Sequence, residues 1–108
     1  MKYKVVVSEE ASKNIRNIFR YIALTLQSPE NAFNQIKRIE KHIRGLSEMP
    51  YRFRVYKHGK WKGRGLHVMP VDNYCIFYIP DDESTTVTIL QVMYGGQDIE
   101  KWLDKITL

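Results

Sequence analysis

The fold is decided by residues 28–46, which read SPENAFNQIKRIEKHIRGL. Ser28 can cap a helix, and Pro29 suits the first helical position because its missing N–H is not needed there. Glu30 adds negative charge to the first turn, where the helix dipole favours it. Apolar residues then recur in steps of four and three at Ala32, Ile36, Ile39, Ile43 and Leu46. The pattern predicts an amphipathic helix that packs one face on a sheet.

A second helix is predicted on the N-terminal side of this stretch. Ser8 is a good N-cap, and Glu9 and Glu10 follow it in the first turn. Its apolar positions are Ala11, Ile15, Ile18, Phe19, Ile22 and Leu26. Because few residues separate it from Ser28, the two helices are expected to form an antiparallel hairpin. Residues 2–7, rich in valine, are predicted to form a first strand.

Pro50 cannot extend the second helix, so this helix is expected to end before it. After Pro50 the spacing of apolar residues changes from the helical to the strand period. Strand character is found in residues 52–56, 66–71, 74–79 and 85–93. The run 74–79 is almost continuously apolar, which indicates a central, buried strand. Asp72-Asn73 is predicted to form a tight turn, and residues 80–84 a longer polar loop. Residues 66–93 are therefore expected to form a three-stranded meander.

The last predicted element is a short helix over residues 97–106, with Ile99, Trp102, Leu103 and Ile106 on one side. The element order becomes β-α-α-β-β-β-α. This order indicates an α+β fold with a helical hairpin, in which the helices pack on one face of an antiparallel sheet. The length of 108 residues is typical of one domain spanning residues 1–108.

One part of the chain carries its charge imbalance. Between Glu48 and Asp72 there are six cations and no acid: Arg52, Arg54, Lys57, Lys60, Lys62 and Arg64. The net charge is +5, and without these six the remaining eleven Lys and Arg would face twelve Asp and Glu. Four aromatic residues lie among the cations, namely Tyr51, Phe53, Tyr56 and Trp61. Basic and aromatic residues together first suggest nucleic acid, and in any case an acidic partner.

Several classes of protein and site are not indicated. Cys75 is the only cysteine, so no intramolecular disulfide can form, and a lone thiol in an apolar run favours a reducing compartment and a small buried side chain. No leader-like or membrane-spanning stretch is visible, and a cytoplasmic location is expected. The histidines, His42, His58 and His67, have no metal-ligand spacing with Cys75. No metal and no cofactor is therefore expected.

Three stretches resemble the RelE/ParE superfamily, the toxins of bacterial type II toxin-antitoxin modules. They are Ser28–Ala32 with Ile36, Ile39 and Ile43; Asn73-Tyr74 with Ile76–Tyr78; and Val87–Met93 followed by Tyr94-Gly95-Gly96-Gln97-Asp98. The resemblance covers nearly the whole chain. It implies a RelE/ParE-like fold, inhibition of growth, and a heteromeric complex with a cognate antitoxin.

The resemblance leaves two mechanisms open. RelE-like members cut mRNA inside the ribosome with basic residues and an aromatic or histidine, whereas ParE-like members bind DNA gyrase and are not nucleases. Cys75 lies where many relatives have an arginine, and His67 lies where nuclease members have a basic residue. Gly95 follows Tyr94 where relatives often have an arginine after a histidine. Missing cations weaken phosphate chemistry, so the ParE-like, non-enzymatic branch is favoured.

These considerations assign residues to three hypotheses. Antitoxin binding is assigned to Arg52, Arg54, Lys57, Trp61, Lys62 and Arg64, because antitoxin tails in this superfamily are commonly acidic. Target binding is assigned to the solvent side of the helical hairpin and to the segment from Tyr94. In the alternative, a ribosome-dependent mRNA endonuclease, His67, Arg64, Lys62 and Tyr94 carry the chemistry. A third hypothesis is a non-toxic binding module retained for autoregulation. His67 should face away from Leu66 and Val68, towards the surface or a cleft.

Overall fold

The computed structural model describes residues 2–57, 59–61, 63–96 and 99–104. Within them the strands are β1 (Lys4–Val7), β2 (His67–Val71), β3 (Tyr74–Asp81) and β4 (Thr86–Tyr94). The α-helices are α1 (Glu9–Arg20), α2 (Pro29–Gly45) and α3 (Ile99–Asp104). This confirms the predicted α+β fold with a helical hairpin on a sheet. The expectations for Gln97, Asp98 and Ile106, and for the side chain of Trp102, lie outside what is described. No helix in the described ranges is long and apolar enough to cross a membrane.

The sheet is mixed, which differs from the antiparallel sheet expected. Its strand order is β1-β4-β3-β2. The meander β2-β3-β4 is antiparallel as predicted, but β1 pairs parallel with β4, with Val5 opposite Val87. The helical hairpin carries the chain from β1 to β2 at the opposite edge of the sheet, and the antiparallel meander then brings β4 back beside β1 in the parallel direction. The prediction was wrong about β1 because strand direction at an edge depends on topology rather than on local sequence.

The sheet has an apolar core on each face. The first core lies under α1 and α2 and includes Ala11, Ile39, Ile43, Leu46, Met69, Val71, Ile76, Tyr78, Val87, Ile89 and Val92. The second core, on the other face, comprises Tyr56, Trp61, Leu66, Val68, Phe77, Met93 and Leu103. The closing helix α3 therefore packs opposite the hairpin, which corrects the expectation that the helices cover a single face.

Residues 52–56, whose alternation predicted strand character, do not form a strand. Residues Pro50–Arg52 make a turn of 3₁₀-helix, and pairing with the sheet is limited to one bridge between Val55 and His67. Two hydrogen bonds flank the bridge, from Tyr56 N to the Leu66 carbonyl (2.7 Å) and from Val68 N to the Arg54 carbonyl (3.0 Å). The chain bends away on either side because Pro50 lacks an N–H to pair and Tyr56 turns into the second core.

The hairpin is joined by an unexpected turn. After α1 the chain continues as a π-helix over Tyr21–Thr25, closed by a bond from Leu26 N to the Tyr21 carbonyl (3.0 Å). A π-helical turn adds a residue per turn, so positions beyond it rotate off the α-helical stripe. Leu26, predicted to be buried, is 55% exposed, while Ala23 is buried.

The caps of the two hairpin helices differ. Ser8 caps α1 as predicted, since its Oγ accepts a hydrogen bond from Ala11 N at 3.0 Å. The hydroxyl of Ser28 makes no such bond; only its backbone carbonyl accepts, from Ala32 N. Pro29 occupies the first turn as expected. The prediction of a Ser28 side-chain cap was therefore wrong.

A buried hydroxyl fixes the start of the segment that follows α2. Tyr78, on β3, donates a 2.6 Å hydrogen bond to the Pro50 carbonyl, and burial raises the pKa of this tyrosine to about 12. Replacing Tyr78 with Phe leaves that carbonyl without its donor, so we expect the free energy of unfolding to fall by about 1–2 kcal/mol. Chemical denaturation would measure it.

The matched control is Tyr3→Phe, whose hydroxyl bonds to Asp82 at an exposed site. Tyr3→Phe should lower the free energy of unfolding by less than about 0.5 kcal/mol, as most substitutions at the surface do. Equal losses for the two variants would contradict the anchoring role of Tyr78.

Candidate functional site

Residues 52–64 are here called the basic segment, and its described residues, 52–57, 59–61 and 63–64, lie beside β2, the edge strand of the sheet. On the hairpin face the chain before the segment is held by the bond between Tyr78 and Pro50. On the other face the segment inserts Tyr56 and Trp61 into the second core, where Tyr56 lies edge-on to Phe77 at 5.8 Å. Both ends of the segment are thus fixed by buried aromatic side chains, and the cations between them are held on a scaffold.

Trp61 is not a docking residue. Its side chain is 2% exposed, and its Nε1 donates a 3.0 Å hydrogen bond to the carbonyl of Leu103 in α3. The assignment of Trp61 to antitoxin contact was therefore wrong: an indole whose N–H finds a buried partner is more stable in the core than at the surface. It ties the basic segment to α3 across the second face of the sheet.

The described cations of the segment do point outward. Arg52, Arg54, Lys57 and Arg64 are exposed, and none of them forms an ion pair with a described carboxylate. Arg52 lies over the Phe53 ring at 5.1 Å. Lys62, assigned to both the antitoxin and nuclease hypotheses, lies outside the described residues, as does His58. Uncompensated positive charge on a fixed scaffold attracts an acidic partner and accelerates its association.

Arg64 is presented by a turn that only glycine suits well. Gly63 and Gly65 flank it with φ values of +79° and +75°. Side chains with a Cβ rarely adopt this left-handed conformation. The Gly65 carbonyl in turn accepts a 2.9 Å bond from Nδ1 of His67. The position of Arg64 is thus set by the backbone of its neighbours.

His67 is buried, which differs from the surface or cleft position expected. It is 4% exposed, stacked on Tyr78 at 5.4 Å and edge-on to Tyr51 at 5.6 Å. It does face away from Leu66 and Val68, as the strand alternation predicted, because both of those residues belong to the second core. The face it occupies is the closed, hairpin side of the sheet, so the imidazole has little access to a substrate.

The structure does not bring the nuclease residues together. His67 pairs with Tyr78 in the middle of β3, whereas Tyr94 pairs with Tyr74 at its start. Four residues of strand separate Tyr74 from Tyr78, which corresponds to about 13 Å. Cys75 contributes no cation, and burial raises the pKa of its thiol, opposed by the nearby charge of Arg54. A base, an acid and a phosphate-binding cation are therefore not gathered around one point among the described residues.

A large groove lies elsewhere, between the hairpin and the ends of β3 and β4. Its volume is about 1470 Å³. Residues with amide side chains dominate the polar part: Asn14, Asn17, Asn31, Asn34, Gln35 and Asn73, while Gln91 borders the groove from a position in β4 paired with Phe77, whose side chain faces the second core. The apolar part includes Ile18, Ile22, Leu26, Leu90, Val92 and Met93, and three tyrosines, Tyr21, Tyr74 and Tyr94, complete it. Both regions assigned to target contact, the hairpin and Tyr94, thus border one concave surface.

The position of Tyr94 at the groove is set by its neighbours. Its ring packs edge-on to Tyr74 at 6.0 Å. A Cβ on Gly96 would lie 2.5 Å from the Tyr94 ring, so glycine is required for this arrangement. Gly95 N donates to the Asn73 carbonyl at 2.8 Å, which holds the end of β4 against the β2–β3 turn.

Sequence reasoning missed this groove, although a signal existed. Asn14 and Asn17 are three apart on α1, and Asn31, Asn34 and Gln35 have the spacing of one helical face on α2. An amide-rich stripe on each helix of a hairpin indicates a polar surface between them. What no local pattern shows is that the stripes face the end of β4.

Few charges reach the groove. Its charged lining residues are Glu10 and Arg38. Arg38 is committed to Asp72, with Nε 2.8 Å from the carboxylate, and Gln35 donates to the same oxygen at 2.9 Å. These bonds hold the pKa of Asp72 below its usual range, with the hydrogen bond from Arg38 as the largest cause. The groove, as far as the structure describes its lining, is therefore close to neutral, in contrast with the basic segment.

Comparison with known proteins agrees with this architecture. Residues 5–99 match the family described as "ParE toxin of type II toxin-antitoxin system, parDE". The chain belongs to this family. No curated protein gives a significant match. This ParE-family chain is accordingly the toxin component of a type II toxin-antitoxin system, as the resemblance implied.

Solved structures share the fold of this ParE-family toxin. A chain of the chromosomal ParDE system from P. aeruginosa aligns with a TM-score of 0.67 and 12% identity, covering 86% of this chain and 96% of that one. The RelBE2 toxin-antitoxin complex from Mycobacterium tuberculosis gives 0.60 and 22%, with 87% and 99% covered. A free mutant of E. coli toxin RelE gives 0.60 and 15%, with 99% and 100% covered. The fold is thus shared with structures of both ParDE and RelBE systems.

The Asp72 cluster makes stability depend on pH. Because the folded-state pKa is lowered from its ordinary 3.8, the stabilisation is present above that value and is lost as pH falls through the folded pKa. We expect Asp72→Asn to be less stable than the wild-type toxin at pH 7 and equal to it once pH drops well below about 4. Asparagine tolerates the φ of +54° at this turn position, so backbone strain is not introduced.

Denaturation of both proteins between about pH 7 and pH 2.5 measures the difference. In an Arg38→Gln background, which removes the largest cause of the shift, the stability gap caused by Asp72→Asn should shrink. A gap that persists unchanged in acid would show that charge pairing at Asp72 is not its source.

Proposed function

We propose that this ParE-family toxin inhibits growth by binding DNA gyrase rather than by cutting RNA, and that its cognate antitoxin docks on the basic segment. The observation that carries the first part is the dispersal of the nuclease residues. His67 is enclosed by Tyr51 and Tyr78, and the sheet register separates it from Tyr94. Cleavage through a 2′-hydroxyl needs a base, an acid and cations at one phosphate. Binding to gyrase needs none of them.

The antitoxin assignment is supported by charge. Arg52, Arg54, Lys57 and Arg64 are exposed and lack described acidic partners, so they repel one another in the free toxin. An acidic segment laid across them would relieve that repulsion and gain attraction at the same time. Since Trp61 and Tyr56 fix the segment to the core, a partner need not order it on binding. Pre-organisation of this kind favours tight association.

Gyrase inhibition and mRNA cleavage can be compared with one preparation of the toxin. We expect inhibition of DNA supercoiling by purified gyrase, and intact mRNA in a translating extract at the same toxin concentration. Inactive toxin carrying bound antitoxin serves as the control in both assays. Translation-dependent mRNA cleavage without an effect on supercoiling would overturn the gyrase assignment in favour of the RelE-like alternative. Normal growth after induction, with neither activity, would favour the autoregulatory module.

Charge reversal tests the antitoxin surface. We expect Lys57→Glu combined with Arg64→Glu to weaken antitoxin binding by roughly ten- to hundredfold at low salt, with a smaller effect at high salt because exposed charges are screened. Titration calorimetry or biolayer interferometry with the antitoxin encoded beside the toxin gene would measure it.

The control for this pair is Lys13→Glu combined with Lys37→Glu, which changes net charge equally at exposed positions of α1 and α2. If both double variants weaken binding to the same extent, the effect comes from overall charge and not from the basic segment. Unchanged affinity of the first pair at low salt would refute the assignment.

A further inference from the structure

The outer edge of β1 carries backbone groups that no described residue pairs with. β1 is an edge strand, with β4 on its inner side. Lys4 N and Ser8 N donate inward, to carbonyls on the β4 side, at 2.9 and 3.0 Å. Backbone groups alternate in direction along a strand, so the N–H and C=O of Val5 and Val7 point outward. No described residue forms a hydrogen bond with these four groups.

The rest of this edge is closed, and the opposite edge of the sheet is protected. Tyr3 N donates at 2.8 Å to the carbonyl of Ser47, just beyond α2, which closes the outer side at the start of β1. At the opposite edge Val68 N donates outward to the Arg54 carbonyl, and Pro70, two positions on, has no N–H to offer. Proline on an edge strand protects against pairing with another chain. In the described part of the chain, β1 is therefore the open edge.

The side chains of β1 also suit an interface. Val6 and Val7 are each 39% exposed, although valine is most often buried in folded proteins. They lie on opposite faces of the sheet, since Val7 pairs with Ile89 of the first core and Val6 pairs with Thr88. Exposed apolar side chains beside unpaired backbone groups are the features of an edge to which another strand can be added.

The charges around β1 identify the added strand as a second copy of the same chain. Lys2 and Lys4 lie at its start, and Glu9 and Glu10 begin the helix that follows it. All four are exposed, and none forms an ion pair within the described part of the chain. The glutamates would repel an acidic segment, and the lysines would repel a basic one. Two antiparallel copies of β1 instead place the basic start of each beside the acidic end of the other.

We propose that the toxin forms a twofold-symmetric dimer in which the outer edges of two β1 strands pair antiparallel. Val5 of each copy exchanges two hydrogen bonds with Val7 of the other, so all the open backbone groups are paired. Val6 then lies opposite Val6 on the twofold axis, and Lys4 lies near Glu9 of the other copy. The basic segment lies beside β2, at the far edge of the sheet, so the dimer leaves it exposed. The proposal does not depend on the gyrase assignment.

Sedimentation equilibrium of purified, full-length toxin without antitoxin tests the dimer. The interface is short, so we expect reversible dimerisation with a Kd of roughly 1–100 μM. Val6→Lys places like charges opposite each other on the axis, and Val7→Pro removes an N–H that bonds to no described residue in the single chain. Each should raise the Kd roughly tenfold. Val6→Thr keeps the branched shape without charge and should stay within about threefold of the wild type. Circular dichroism of each variant checks that the single chain remains folded.

A charge exchange tests the register of the pairing. Lys4→Glu and Glu9→Lys should each weaken self-association roughly fivefold at low salt, because each brings like charges together at two places in the dimer. An equimolar mixture of the two variants should dimerise like the wild type, since the mixed dimer again opposes lysine to glutamate at both places. The control is Arg20→Glu, which changes the net charge as Lys4→Glu does but lies at the far end of α1. It should leave the Kd unchanged.

Other results would overturn the proposal. A toxin that stays monomeric up to about 300 μM does not form this dimer. A dimer that Val6→Lys and Val7→Pro leave intact, or that the mixture of charge variants does not restore, uses another surface or another register. If the wild-type toxin is monomeric and Val6→Lys weakens antitoxin binding, the edge belongs to the antitoxin. Gyrase inhibition is measured separately, so a failure of the dimer is distinguishable from a failure of the proposed function.

Discussion

Strand β3 is apolar on both faces, and the need to cover both faces dictates the rest of the architecture. Ile76 and Tyr78 face the helical hairpin, whereas Phe77 faces the second core. The hairpin alone leaves one face in water, and exposing that much apolar surface would be costly. The chain covers it with Tyr56, Trp61 and Leu103. A segment rich in arginine and lysine is thereby held against a sheet, with Tyr56 and Trp61 inward and its described cations, Arg52, Arg54, Lys57 and Arg64, outward.

This arrangement explains which parts of the molecule could be predicted. α1 and α2 follow from local signals: the Ser8 cap, Pro29, and apolar steps of three and four. β3 follows from its apolar run, and the turn at Asp72-Asn73 from its residue types. Each of these features depends on residues within a few positions of one another, which a sequence displays directly.

The predictions that were wrong concern features that depend on contacts between residues distant in sequence. The alternation of residues 52–56 predicts a strand, but the segment pairs with the sheet through a single bridge. A longer strand does not form because Tyr56 turns into the second core, which α3 completes. The position of Trp61 among cations predicted an exposed side chain that contacts a partner. Its burial depends on Leu103, distant in sequence, whose carbonyl accepts a hydrogen bond from the indole N–H. The strand alternation correctly predicted the face on which His67 lies. Its burial was not predicted, because it depends on Tyr51, which lies in a turn sixteen positions earlier in the sequence. The groove likewise needs two helices and a strand end to meet.

The basic segment and the groove differ in the forces that they can exert on a partner. Attraction to the basic segment acts over roughly the Debye length of 8–10 Å and is weakened by salt. Recognition in the groove relies on hydrogen bonds and apolar contact, which act only after the partner has arrived. A partner that must be captured quickly benefits from the first kind of surface, and a partner that must be recognised by shape benefits from the second. The fold thus presents one surface suited to fast, charge-driven association and one suited to recognition by shape, on different parts of the same scaffold.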